Sequence, residues 1–162
     1  MANGESYEAA MREAASAAWD QDWSRAVQAY EQALMIAPDD AQALAGLGLA
    51  LLESGRYPDA LARYRRVSEL VPSDPLPYEK MGEIYQRLGE NVQAAKQYLA
   101  AGEIYLARKD TRRAVPSWER AIALDPDLAQ AHMRLAIAYQ QDPHTQRQAE
   151  IGRASCRERV FS

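Results

Sequence analysis

Cysteine, phenylalanine and histidine are nearly absent from this chain: of 162 residues, one is Cys, one is Phe and two are His. A single thiol cannot form a disulfide within one chain, so the fold has to rest on packing alone. The lone cysteine, Cys156, and the two histidines, His132 and His144, give no ligand set at metal-binding spacing. Basic excess is lacking too. Nineteen Lys and Arg face 23 Asp and Glu, a formal net charge of −4, whereas a nucleic-acid surface needs a cationic face to neutralise phosphates. No long apolar run exists either. The longest, about Ala43 to Leu52, falls well short of the roughly 20 residues that a membrane-spanning helix requires. The start, Met-Ala-Asn-Gly-Glu-Ser, is polar and gives no expectation of a secretory signal, which leaves the cytoplasm as the expected location. Nucleic acid and membrane are thereby set aside as partners. With no nucleotide-binding loop and no nucleophile–base arrangement, neither a catalytic residue nor a cofactor is expected.

What the chain does have is a period. Ala26, Tyr30 and Ala33 recur 34 residues on as Ala60, Tyr64 and Val67, and again as Ala94, Tyr98 and Ala101. Pro38 recurs as Pro72 and Gly48 as Gly82 at the same step. Within one period, Leu44, Leu47, Gly48 and Leu51 fall at i, i+3, i+4 and i+7, one stripe of an amphipathic helix. Gly55 is placed to end that helix, and Tyr57-Pro58 opens the next, where the missing proline N–H has no partner to lose. Asp39 and Asp74 are placed to cap the helices that follow them. The recurring small residues allow two helix axes to approach, and the tyrosine one turn away fills the adjacent hollow.

These residues resemble the tetratricopeptide repeat, a family of antiparallel helix pairs that stack side by side. The likeness covers Tyr7 to about Gln141 and is fullest in 41–74, through Leu44, Leu47, Gly48, Leu51, Ala60, Tyr64, Val67 and Pro72. It implies an all-α, tetratricopeptide-type helical-hairpin solenoid over residues 1–149, in units of about 7–40, 41–74, 75–108, an overlapping 95–128 and an incomplete 129–149. The period breaks once. After Ala94, Tyr98 and Ala101 the signature returns as Ala114, Trp118 and Ala121, only 20 residues later. The shortfall of 14 equals one helix, about 20 Å at 1.5 Å per residue. One helix is thus missing or shared near 91–108, where a single stripe carries both Ala94, Tyr98 and Ala101 and the overlapping Tyr98, Ala101, Gly102 and Tyr105. A kink or change of face is expected over 108–126, with Pro116 loosening the first turns of its helix.

The resemblance also implies where a ligand would lie. In this family the first helix of each pair lines a concave surface, which puts Met11, Ala15 and Ala18, then Gln42, Ala45, Leu49 and Leu52, then Glu79, Glu83 and Gln86 in a peptide groove. That row is apolar for two thirds of its length and acidic in the last third, suited to an amphipathic helix or extended peptide with apolar and basic residues. Packing against neighbouring helices accounts for the same small residues equally well. Relatives that hold a chaperone's C-terminal carboxylate do so with Lys, Asn and Arg. The matching positions here are Met11, Ala15, Gly46, Leu76 and Lys80, of which only Lys80 could bind a carboxylate. The basic run Arg56, Arg63, Arg65 and Arg66 reads as a solvated outer face.

The function expected is therefore a non-catalytic protein-interaction scaffold whose partner is an unidentified protein or peptide. The alternative is the docking or regulatory arm of an enzyme or sensor whose catalytic domain lies beyond the sequence given. Residues 150–160, Glu-Ile-Gly-Arg-Ala-Ser-Cys-Arg-Glu-Arg-Val, resemble a translated sequencing adapter, so 150–162 is expected to be an artefactual tail on a fragment. Without its three Arg and two Glu the body carries −5 and no cysteine. An array that stops this way leaves an uncapped apolar helix face, through which copies of the chain could associate.

Overall fold

The computed structural model describes residues 2–141 and 147. Cys156, His144, the 150–162 tail and the helix expected from Thr145 lie outside the described residues. Within them the chain is all helix and turn: α1 (Ala2–Trp19), α2 (Trp23–Ile36), α3 (Ala41–Glu53), α4 (Tyr57–Leu70), α5 (Leu76–Arg87), α6 (Asn91–Ala107), α7 (Thr111–Leu124) and α8 (Ala129–Gln141). They fall into two compact units, residues 1–90 and residues 91 onward.

The first unit holds the hairpins α1/α2 and α3/α4, with α5 packed on α4. Its core joins Ala17, Ala26, Leu47, Leu51, Ala60 and Tyr64, the small–aromatic stripe that the period marks. The role of Gly48 is steric: a Cβ there would stand 3.0 Å from the ring of Tyr64, sixteen residues on. The second unit holds the hairpin α6/α7 with α8 packed on α7. Tyr105, Ala114, Val115, Trp118 and Ala138 form its core. Gly102 repeats the role of Gly48, because a Cβ on it would collide with Trp118, again sixteen residues on.

Helix ends reveal how the broken period is accommodated. Four helices close with the same paired bonds, in which orphan carbonyls accept from the two residues past the end. The N–H groups of Asp22, Arg56, Glu90 and Asp110 donate to Ala17, Leu51, Tyr85 and Tyr105 at 2.8–2.9 Å. One residue earlier, Gln21, Gly55, Gly89 and Lys109 carry the left-handed φ of 58°, 74°, 77° and 60° that this closure demands. Their spacing is 34, 34 and 20. The second helices end differently, with Ala37, Val71 and Asp125 donating to Ala33, Val67 and Ala121. A single helix, α6, thus covers 91–107, as one shared helix requires. It ends in the manner of α1, α3 and α5 and pairs with α7 as the first helix of a hairpin.

Two local expectations change. The α3 cap is Asp40, whose carboxylate accepts from Ala43 N–H at 2.7 Å, not Asp39, which pairs with Arg66 at 2.8 Å. Asp74 stands one residue ahead of the α5 cap, which is Pro75, and accepts from Leu76 N–H at 3.1 Å in the turn that leads into the helix. Pro116 leaves the first turns of its helix in place. α7 runs on from Thr111 to Leu124, its first turn held by the Asp110 carboxylate on Arg113 N–H and its proline facing solvent. A cap at the start and a buried stripe of Ala114, Val115, Trp118 and Ala121 outweigh the one backbone bond lost.

Candidate functional site

α1, α3 and α5 of the first unit are related by the 34-residue step, and α1 and α3 touch each other as well as α2. The face they present carries most of the residues that the sequence marks. Ala15 and Gln42 are exposed, whereas Ala18, Ala45 and Leu49 are half-buried, their apolar atoms partly in water. Met11 lies half-buried against Ala10, Ala33 and Ala43. Leu52 does not belong to this face. It is 0% exposed and sits in the core with Leu51 and Ile84, because one turn beyond Leu49 the helix rotates it inward.

The acidic third of the row is not a free acidic surface. Glu79, Glu83 and Gln86 are half-buried, and Glu83 is held between Lys80 at 3.0 Å and Arg87 at 2.8 Å. Partial burial pushes the Glu83 carboxyl upward, but its bonds to Lys80 and the charge of Arg87 outweigh this and hold it below its usual range. Arg87 also hydrogen-bonds Tyr57, the largest of the effects that hold its proton, and lies 3.9 Å from Glu53. The end of the row is a mixed-charge lattice. Two members of the basic run are paired, Arg56 at the start of α4 with Asp59 and Arg66 with Asp39 and Glu69, while Arg65 donates to the neutral Tyr85 hydroxyl. His132 is structural, its Nε2–H donating to the Pro126 carbonyl at 2.7 Å.

The sequence reading missed Trp19. It continues the α1 stripe from Met11 through Ala15 at four-residue steps, and it is 87% exposed. Spacing alone could have found it. In the second unit, the step that carries α3 onto α8 places Met133 and Ile137 where Ala45 and Leu49 stand, and both are exposed, at 56% and 41%. An Arg134–Glu103 pair at 2.7 Å ties α8 to α6 beside them. A cleft of about 440 Å³ between α2 and the α3–α4 turn is lined by Ser24, Gln28, Glu31 and Arg56, the last already held by Asp59. Among the described residues, no three of His, Cys, Asp and Glu gather as a metal site would require, and no helix is long and apolar enough to cross a membrane.

A family model of the TPR (tetratricopeptide) repeat matches residues 48–89 and 102–142, more than half of the sequence. The chain belongs to the TPR repeat family. The two matched stretches straddle the broken step, one spanning α3 to α5 and the other α6 to α8. No curated protein sequence matches it. Among solved structures it is similar to PcrH, a protein of Pseudomonas aeruginosa, in complex with the chaperone binding region of PopD, with a TM-score of 0.67 and 20% identity over 74% of this chain and 93% of that one. It is similar also to the TPR2B domain of yeast Sti1 in a pHsp70 complex, with a TM-score of 0.64 and 22% identity over 72% and 96%. A third likeness, to MamA, covers 91% of this chain and 88% of that one at 19% identity and a TM-score of 0.54. Such identities speak to the TPR fold.

Proposed function

We propose that this TPR protein is a non-catalytic interaction module that binds an amphipathic helix or extended segment of another protein across the concave face of α1, α3 and α5. One observation carries the reading. Met11, Ala15, Ala18, Ala45 and Leu49 are small or apolar side chains in a row over two consecutive first helices, and none is fully buried. A row that served packing alone would be buried throughout or polar in its exposed part. The TPR structures solved with PopD and pHsp70 segments support this kind of work. Lys80 is paired with Glu83, which supports a ligand other than a C-terminal carboxylate.

The test is peptide selection from a random library on the immobilised protein, followed by titration of the selected peptides against Ala15→Glu and Leu49→Glu. Both positions reach solvent, so circular dichroism should be unchanged while affinity falls at least about tenfold, the effect of roughly 1.4 kcal/mol. Unchanged affinity in the folded variants would exclude this face. A second reading is favoured by Met133 and Ile137, one turn apart and exposed on α8: copies of the chain associate through that helix. Light scattering then gives a mass that rises with concentration and stays monomeric in Ile137→Glu. A wild-type mass independent of concentration would sink it.

A further inference from the structure

Trp19 is the most exposed large apolar side chain among the described residues, with 87% of its surface in water. Tryptophan offers about 150–250 Å² of apolar surface, so this exposure forgoes more burial than any other side chain could. Its place is not accidental. It stands in the last turn of α1, where Glu53 and Arg87 stand in α3 and α5, and the row it continues is the apolar one of the proposed binding face. Glu53 and Arg87 lie 3.9 Å apart across their two helices, so this position forms one rim of that face.

The turn after Trp19 is rigid and acidic. The Asp22 N–H donates to the Ala17 carbonyl at 2.9 Å, and the Asp22 side chain accepts from Arg25 N–H at 3.2 Å. Glu13, Asp20 and Asp22 all act on the charge of one guanidinium, Arg25, with only Glu13 in contact with it, so two negative charges are in excess. Arg25 is committed to Glu13 at 2.5 Å. Arg12, two turns back on α1, stands 3.9 Å from Glu8. The Asp20 and Asp22 carboxylates therefore have no ion-pair partner among the described residues. An indole face draws a cation electrostatically, and flanking carboxylates supply the charge to hold it. An anionic segment would meet like charge at the same place.

We propose that Trp19, with Asp20 and Asp22 beside it, receives an arginine or lysine side chain of the segment that lies on the apolar row. The partner is thus an apolar segment with a cationic residue at the α1 rim. This rests on the binding face proposed above, and the two can fail separately.

The experiment uses two fluorescein-labelled peptides of identical leucine–alanine pattern, one with arginine and the other with glutamate at the polar positions, titrated by anisotropy against the full chain. The arginine peptide binds and the glutamate peptide does not. Trp19→Ala weakens binding about 3- to 30-fold, with most affinity kept in Trp19→Phe. Asp20→Asn/Asp22→Asn weakens it similarly and flattens its salt dependence, and asparagine keeps the α2 cap in place. Removing equal charge elsewhere, in Glu5→Gln/Glu31→Gln, leaves affinity within about twofold, as expected of exposed charges beyond the screening length. The proposal is overturned if Trp19→Ala binds as wild type does, if both peptides bind alike or not at all, or if the charge control loses as much. Loss in Leu49→Glu without loss in Trp19→Ala keeps the face and removes the cation site; the reverse keeps the rim and removes the face.

Discussion

Gly102→Ala tests whether the second hairpin is set by steric contact between α6 and Trp118. A Cβ at residue 102 would lie 2.6 Å from Trp118 Cδ1 and nearer still to Nε1. Carbon contacts settle at about 3.5–4.0 Å, so the shortfall is about 1 Å. Trp118 cannot yield, because it is 1% exposed and wedged among Tyr105, Ala114, Val115 and Ala138. Relief has to come from α6 and α7 moving apart, and such overpacking costs about 1–3 kcal/mol. Alanine returns about 1 kcal/mol of helix propensity, which leaves a net loss of up to about 2 kcal/mol. Gly46→Ala is the matched control. Its Cβ would meet the phenol end of Tyr30, which is only half-buried and has more room to yield than Trp118, so that variant loses less. Urea unfolding of both variants, followed by circular dichroism, measures the contrast. Trp118→Leu should then cost less in the Gly102→Ala background than alone, a coupling that the double-mutant cycle isolates. Equal stability of the two glycine variants, or no coupling with Trp118, would refute the reasoning.

Gln21→Gly and Lys109→Gly each relieve a left-handed residue that Gly55 and Gly89 already suit, and each should stabilise by about 1 kcal/mol in the same urea assay. Leu52→Ala, removing a fully buried side chain, should cost about 2–5 kcal/mol, whereas Leu49→Ala at its half-exposed site costs clearly less. Glu83→Gln should destabilise by at most about 1 kcal/mol at neutral pH, since the pair is partly solvated. The folded carboxyl of Glu83 titrates below its unfolded value of 4.5, so its contribution is complete above that value and disappears as pH falls through the lower folded one. The gap from wild type, read from urea midpoints across the acid range, should close on acidification; a gap that persists would contradict the Lys80–Glu83–Arg87 arrangement.

The α-helical hairpins were legible in the sequence because their cause is local and repeated. Leu44, Leu47, Gly48 and Leu51 share one helix face by spacing alone, and Gly48 with Tyr64, or Gly102 with Trp118, encode a contact at a fixed sixteen-residue separation. The change of step from 34 to 20 was visible for the same reason. What spacing cannot carry is which of two overlapping stripes a helix uses. α6 bears both, and its closing bonds at Lys109 and Asp110, with its pairing to α7, make it a first helix. Nor could spacing separate Leu49 from Leu52, since a small rotation about the helix axis puts one at the surface and the other at 0% exposure. The charge of the proposed face lies between what spacing carries and what it does not: Lys80 and Arg87 stand three residues before and four after Glu83 on α5, so spacing permits both pairs, and the structure shows them formed. Periodicity determines which residues repeat; only the folded chain decides which of them meet each other and which meet water.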